Sequence, residues 1–181
     1  GHTRAQGLPA GYPQFFSRAD GCRLWDTDSR EYIDFMCSWG PVMRGHHDAD
    51  VDAAAAAQAR AGDVMNGPAP VLVELAEFFT ALVAHADWAL FAKNGTDATT
   101  IGVTTARARR AREAAASIFV TSSFWRGAVA MASALATLRK LQALDGITHM
   151  QAMGQRLRMA WTRSEGHGFG IRQSGPPQTG A

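Results

Sequence analysis

The sequence predicts an α/β fold, and three observations carry that prediction. A hairpin pattern stands near the start, short apolar stretches of strand length alternate with stretches of helical periodicity, and turn or capping residues mark most of the switches. Residues 1–14 are irregular, broken by Gly7, Pro9, Gly11 and Pro13. Phe15 to Phe35 then reads as two short strands: Arg23-Leu24-Trp25 and Glu31 to Phe35 flank the turn Asp26-Thr27-Asp28-Ser29-Arg30. Asp50 to Ala61 is an Ala-rich helix that Asp48 or Asp50 can cap. Pro70 to Ala84 is a second helix, with Leu72, Leu75, Ala76, Phe79 and Leu82 on one face. Trp88 to Lys93 is expected to be a short strand running into Asn94-Gly95-Thr96, and a helix is expected from Asp97 to Ala108. Four arginines crowd into Arg107 to Arg112, where an Arg-rich helix is the plain reading. Ser117 to Ser123 reads as a strand, Gly127 to Leu144 as an apolar helix ended by Asp145-Gly146, and Ile147 to Arg163 as an amphipathic helix. Gly166 to Ala181 is a weak strand followed by a loose tail.

With 181 residues, 46% of them hydrophobic and 19% charged, the chain has enough apolar material for a core and is not generally disordered. The formal net charge of +2 gives no ground for a polyanionic partner such as nucleic acid. Lys93 and Lys140 are the only lysines, so the basic balance rests on Arg, which suits fixed recognition of carboxylate or phosphate rather than Schiff-base chemistry. A solvated Arg-rich surface explains the same composition. Cys22 and Cys37 form neither a metal spacing nor a disulfide framework. No apolar run reaches the ~18 residues of a membrane span and no signal-peptide pattern opens the chain, so a cytoplasmic location is expected.

The strongest local signal for chemistry is the order strand, Asn94-Gly95-Thr96-Asp97, helix. Gly permits close backbone approach, Thr96 offers a hydroxyl, and the amides of a helix N-terminus point outward, which together make a phosphate cradle. The same residues also read as a plain cap by Thr96 or Asn94, with Asp97 favourable to the helix dipole and turned away from any anion. Ser122-Ser123 after an apolar stretch is a second hydroxyl pair, and alone it reads as a helix cap. Trp39 in Ser38-Trp39-Gly40-Pro41 can wall a pocket or close the core. His46-His47-Asp48 lacks metal spacing and reads as a turn; His85, His149 and His167 are isolated. No P-loop, nucleophile elbow or dinucleotide fingerprint is present.

These blocks, in this order, resemble the pyridoxal-phosphate-dependent aminotransferases of class III. Phe15-Phe16-Ser17-Arg18-Ala19-Asp20-Gly21, Leu24-Trp25-Asp26-Thr27-Asp28, Tyr32-Ile33-Asp34-Phe35, and Ser38-Trp39-Gly40-Pro41 with Gly45-His46 are similar to the opening of the family. The Ser-Trp-Gly-Pro string resembles the glutamate-1-semialdehyde aminomutase branch in particular. Gly67-Pro68 and Glu74-Leu75-Ala76-Glu77 continue in register, and Phe91 to Thr99 resembles the family's Ser-Gly-Thr-Glu-Ala block in a variant form. Thr105-Ala106-Arg107-Ala108 matches the helix after that block. The similarity resumes at Ile118 to Trp125 and Met131 to Leu138, which resemble the start of the family's small C-terminal domain.

The resemblance implies a fold-type I architecture, with residues 1–48 from the small lobe, 49–112 opening the large cofactor domain and 113–181 returning to the small domain. Between about 107 and 114 it implies a junction across most of the large domain. The ring-stacking segment, the aspartate for the ring nitrogen and the Schiff-base lysine have no counterpart, and neither Lys93 nor Lys140 stands in the family's lysine context. The chain is then expected either to hold pieces of a longer enzyme or to be a deletion product, and alone to be inactive. By the same resemblance Asn94, Gly95 and Thr96 would hold the cofactor phosphate. Ser123 would reach it from the other subunit of a homodimer with shared active sites, where the family has Thr. Trp39 would flank the substrate channel, and Arg4 would pair with a substrate carboxylate. The implied reaction is amino transfer between a small-molecule donor and acceptor. An aminotransferase is preferred to an aminomutase because Asn-Gly-Thr-Asp departs from the aminomutase pattern. The rivals are a catalytically silent dimerisation or binding module and an unrelated phosphate-binding domain.

Overall fold

The computed structural model of the chain describes residues 11–13, 15–92, 94–106 and 127–164. Arg4, Lys93, Ser123, the strand expected at Ser117–Ser123 and the segment 166–181 lie outside the described residues. The chain divides into two compact units, Gly1–Leu135 and Ala136–Ala181.

The first unit opens with an antiparallel sheet of order β1-β2-β3, formed by β1 (Phe16–Asp20), β2 (Arg23–Asp26) and β3 (Glu31–Ile33). The hairpin expected between Arg23 and Phe35 is present, and a further strand precedes it, so this region holds three strands rather than two. β1 escapes sequence patterning because of a bulge. Pairing shifts between Phe16 and Arg18, and the extra residue breaks the period-two alternation. Phe16 consequently shares a face with Leu24, while Arg18 lies over the Trp25 ring on the other face, 3.6 Å from its centroid. Phe16 also meets Tyr12 and Tyr32 edge to face, at centroid distances of 6.3 and 6.0 Å.

Asp26, 3% exposed, organises the turn into β3. Its Oδ1 accepts from Asp28 N–H at 2.9 Å and Arg30 N–H at 2.8 Å, and its Oδ2 accepts from Tyr32 O–H at 2.9 Å. Burial opposes the Asp26 charge, but the Arg30, Tyr32 and Asp28 donors outweigh it and hold the carboxyl below its usual range. Tyr32 is raised in turn, because its hydroxyl proton is held by the Asp26 carboxylate.

Helix α1 (Ala49–Ala61) is capped by Asp48, whose side chain accepts from the N–H of Asp50 and Val51. Asp50 and Asp52 in its first turn and Arg60 in its last complement the helix dipole. It buries no residue, as its run of alanines suggests. Helix α2 (Pro70–Leu82) starts on Pro70, whose missing N–H costs nothing at that position, and buries Val71 and Leu75. It stops short of the expected Ala84, and Leu82 at its end is 48% exposed.

The strand expected at Trp88–Lys93 does not form over its described part, residues 88–92. A strand needs a ladder partner for its N–H and C=O groups, and no described strand lies beside it. Phe91 instead packs edge-on to Phe79 of α2, with centroids 6.4 Å apart. Helix α3 (Gly95–Ala106) follows, beginning two residues before the expected Asp97.

Helix α4 (Ala128–Ala143) begins in the first unit and ends in the second. In the first unit it buries Ala128, Met131, Ala132 and Leu135, one stripe at helical spacing. Asp63, just beyond α1, accepts from Ala128 N–H through its carbonyl at 3.2 Å and from Val129 N–H through its carboxylate at 3.0 Å. A residue far away in sequence thus caps α4. In the second unit, Gly146 opens helix α5 (Gly146–Ser164) where a Cβ would stand 2.7 Å from Leu141 Cδ2. Among the described residues no helix is long and apolar enough to cross a membrane. No described group of His, Cys, Asp and Glu is arranged to hold a metal ion.

Candidate functional site

The start of α3 settles which residue caps it. Asn94 Oδ1 accepts from Asp97 N–H at 2.9 Å, and Asn94 Nδ2 donates to Asp97 Oδ2 at 2.9 Å. The two side chains therefore hold each other. Asn94 lines the turn as its cap, and the Asp97 carboxylate is drawn back onto Asn94, as the sequence suggested it must be if an anion is to approach. Thr99 and Thr100 turn their hydroxyls onto the carbonyls of Gly95 and Thr96, leaving Thr96 as the hydroxyl of the first turn. Among the described residues a Cβ built on Gly95 would meet nothing within 4 Å, so none of them crowds the start of the helix, the ledge formed by the Gly95 and Thr96 amides. This ledge has the chemistry of a phosphate cradle: backbone donors at a helix N-terminus, one hydroxyl, and a nearby carboxylate already engaged. These donors are of the kind that the phosphate of pyridoxal phosphate would need. Asn94, Gly95 and Thr96 are all exposed. The described residues bring these three together; Ser123 and Arg4 are not described.

Trp39 ends a one-turn 3-10 helix, Cys37–Trp39, followed by Gly40 at φ 110°. Cys37 and Ser38 stand at φ 47° and 50°, in the left-handed region that side chains disfavour. A single carboxylate governs the entry. Asp34 Oδ1 accepts from Met36 N–H at 2.9 Å and Cys37 N–H at 3.0 Å, and its Oδ2 lies 2.8 Å from His46 Nε2. Burial alone would push Asp34 up, but the His46 bond and the two backbone donors hold it below its usual range. An ionised carboxylate only accepts, so Nε2 carries the proton of that bond.

Sequence reading placed His46-His47-Asp48 in a turn and missed this pair. His47 is at φ 64°, as a turn requires, and its ring meets Asp52, while Asp48 caps α1. The Asp34–His46 contact joins residues twelve apart with no periodic signal; only Asp34 ahead of a Ser-Trp-Gly string hints at a side-chain turn. Beside Asp34 an open, mainly apolar pocket of about 550 Å³ is lined by Tyr12, Phe16, Leu24, Tyr32, Phe35 and Met36 among others.

The sheet, the capped helices and the open helix start define part of a fold-type I, pyridoxal-phosphate-dependent architecture. Residues 8–166 match the aminotransferase class III family model, and the chain belongs to that family. An aminopentol aminotransferase from Sphingopyxis macrogoltabida is 49% identical over 113 residues, which are 62% of this chain and 27% of that protein. A glutamate-1-semialdehyde 2,1-aminomutase from Chloroflexus aggregans is 37% identical over 102 residues, 56% of this chain and 23% of the enzyme. The chain thus spans about a quarter of the length of these curated relatives. The FumI protein of Sphingopyxis sp. MTA144, solved as its pyridoxal phosphate internal aldimine form, superposes with a TM-score of 0.88 at 26% identity. That superposition covers 98% of this chain and 77% of the solved one. An omega-transaminase from Sphaerobacter thermophilus gives 0.54 at 29% identity, over 59% and 24%.

Proposed function

We propose that this protein is a pyridoxal-phosphate-dependent aminotransferase, moving an amino group between a small-molecule donor and a carbonyl acceptor in a biosynthetic pathway. The observation that carries the reading is the open Gly95–Thr96 helix start, set within a class III match over residues 8–166. The cofactor, when bound, supplies the electron sink that lets an amino group move between carbons. The chain's own residues do the rest of the work assigned here. The Gly95 and Thr96 amides and the Thr96 hydroxyl bind the phosphate, and Asn94 keeps Asp97 from repelling it. Trp39 flanks the substrate channel and Arg4 pairs with a substrate carboxylate. Ser123 reaches the phosphate from the second subunit of a homodimer, at a cytoplasmic location. The Schiff-base amine falls to a lysine of the family's central segment, since Lys93 and Lys140 lie outside that context.

The similarity to glutamate-1-semialdehyde aminomutases favours a second reading, in which both amino exchanges occur on one carbon skeleton. The test is the intact mass of the purified protein, followed by borohydride reduction with pyridoxal phosphate and assay of aminopentol as donor with a panel of 2-oxo acids as acceptors. A mass above 19.4 kDa, a reducible lysine adduct and amino transfer to any of these acceptors support the aminotransferase. Exchange confined to glutamate-1-semialdehyde makes it the aminomutase. A mass of 19.4 kDa with no adduct overturns both, leaving a binding or dimerisation module.

A further inference from the structure

The turn that carries Trp39 cannot hold itself. Two consecutive residues with side chains, Cys37 and Ser38, occupy left-handed backbone, and such geometry persists only where the surroundings impose it. The surroundings here form a closed loop. At one end Asp34 N–H donates to Cys22 O at 2.8 Å. At the other, His46 exchanges both backbone hydrogen bonds with Gly21, at 2.8 and 2.9 Å. Gly45 permits that approach, since a Cβ there would stand 2.9 Å from Gly21 O. Across the base, His46 Nε2 donates to Asp34 Oδ2. The other oxygen of the same carboxylate sets the first amides of the turn. Both side chains are well shielded, with 20% of His46 and 8% of Asp34 exposed.

We propose that the Asp34–His46 pair is a positioning clamp for the Trp39 turn: His46 fixes the rotation of the Asp34 carboxylate, and the carboxylate fixes the turn. The consequence for substrate rests on the aminotransferase reading, in which Trp39 flanks the channel; the clamp itself does not. His46 touches no reacting atom, so its loss acts through Trp39.

The experiment compares His46→Ala with His46→Gln, whose amide can still donate to Asp34. The first readout is the Trp39 fluorescence component, taken as the difference between each protein and the same protein carrying Trp39→Phe, under acrylamide quenching. His46→Ala is expected to change the quenching of that component, and His46→Gln to restore it. Should His46→Ala fail to fold, His46→Asn, too short to reach Asp34, replaces it in the comparison. An unchanged Trp39 component in the Ala or Asn variant overturns the clamp. The second readout is kinetic, in the full-length protein loaded with pyridoxal phosphate. KM for the amine donor is expected to rise about tenfold with kcat within about threefold, again restored by Gln. A shifted Trp39 signal with unchanged KM overturns the link to substrate. A shifted signal in a protein that never transaminates upholds the clamp and refutes the aminotransferase reading.

Discussion

Asp26 is 3% exposed and still ionised because its own hairpin supplies the donors, two backbone amides and the Tyr32 hydroxyl. Burial works against the charge, yet the net effect lowers Asp26 from its ordinary value of 3.8, and Asp34 is lowered in the same way. A carboxyl lowered in the folded state contributes stability that is complete above the unfolded value, near 4. That contribution fades as pH falls through the folded value. Urea melts of the Asp26→Asn protein between about pH 6 and pH 2 are therefore expected to show a shallower acid loss than wild type. Tyr32 gives the opposite limb. Raised above 10.0 by its bond to Asp26, it stabilises the fold below that value and ceases to do so as the solution becomes more alkaline. Tyr32→Phe removes that alkaline loss. Two glycines nearby separate strain from collision. Among the described residues, Gly21 (φ 54°) has nothing within 4 Å of a built Cβ, whereas Gly45 (φ 82°) would drive a Cβ to 2.9 Å from a backbone oxygen. Gly21→Ala is expected to cost about 1 kcal/mol and Gly45→Ala about 3 kcal/mol in urea melts, and equal costs would show that collision plays no part.

At the scale of elements, capping was legible and pairing was not. Asp48 ahead of an alanine run, Pro70 at a helix start and Asn94 ahead of Gly95 are local signals, and each marks a helix the structure contains. Strand β1 leaves no alternation in the sequence because of its bulge, and residues 88–92 read as a strand because apolar residues read alike whether or not a ladder partner exists. The site shows the same division: the Asn94–Thr96 turn was readable from adjacent residues, and the Asp34–His46 pair was not. Burial on α2 follows Val71 and Leu75 more closely than the expected stripe ending at Leu82, because the helix stops there. Leu75→Ala is accordingly expected to cost about 2–5 kcal/mol, while Val73→Ala, at a position 52% exposed, stays within about 0.5 kcal/mol. Asp63→Ala removes the carboxylate bond to Val129 N–H while its carbonyl still accepts from Ala128, and it is expected to cost about 1 kcal/mol. If Leu75→Ala proved as mild as Val73→Ala in thermal melts, the buried cluster on α2 would not be a core.

For the whole molecule, family membership was legible because several separated blocks agree in order, which no single motif can supply, and the match over residues 8–166 shows it. The rest of the proposed site was not, because under that reading its remaining groups come from distant segments or from a second subunit. Thr96 and Ser123 would each lend a hydroxyl to one phosphate, but from different chains. Thr96→Ala and Ser123→Ala proteins should each take up pyridoxal phosphate about tenfold more weakly than wild type, the loss of one charge-assisted hydrogen bond. After co-expression and random pairing, about half the dimers are mixed, and each mixed dimer holds one site with both hydroxyls and one with neither. About a quarter of all sites should then regain wild-type affinity, visible as a tight phase in an absorbance titration that neither variant shows alone. A titration equal to the average of the two variants would mean that Ser123 does not reach the phosphate across a subunit boundary. The homodimer would then have to be argued from some other contact.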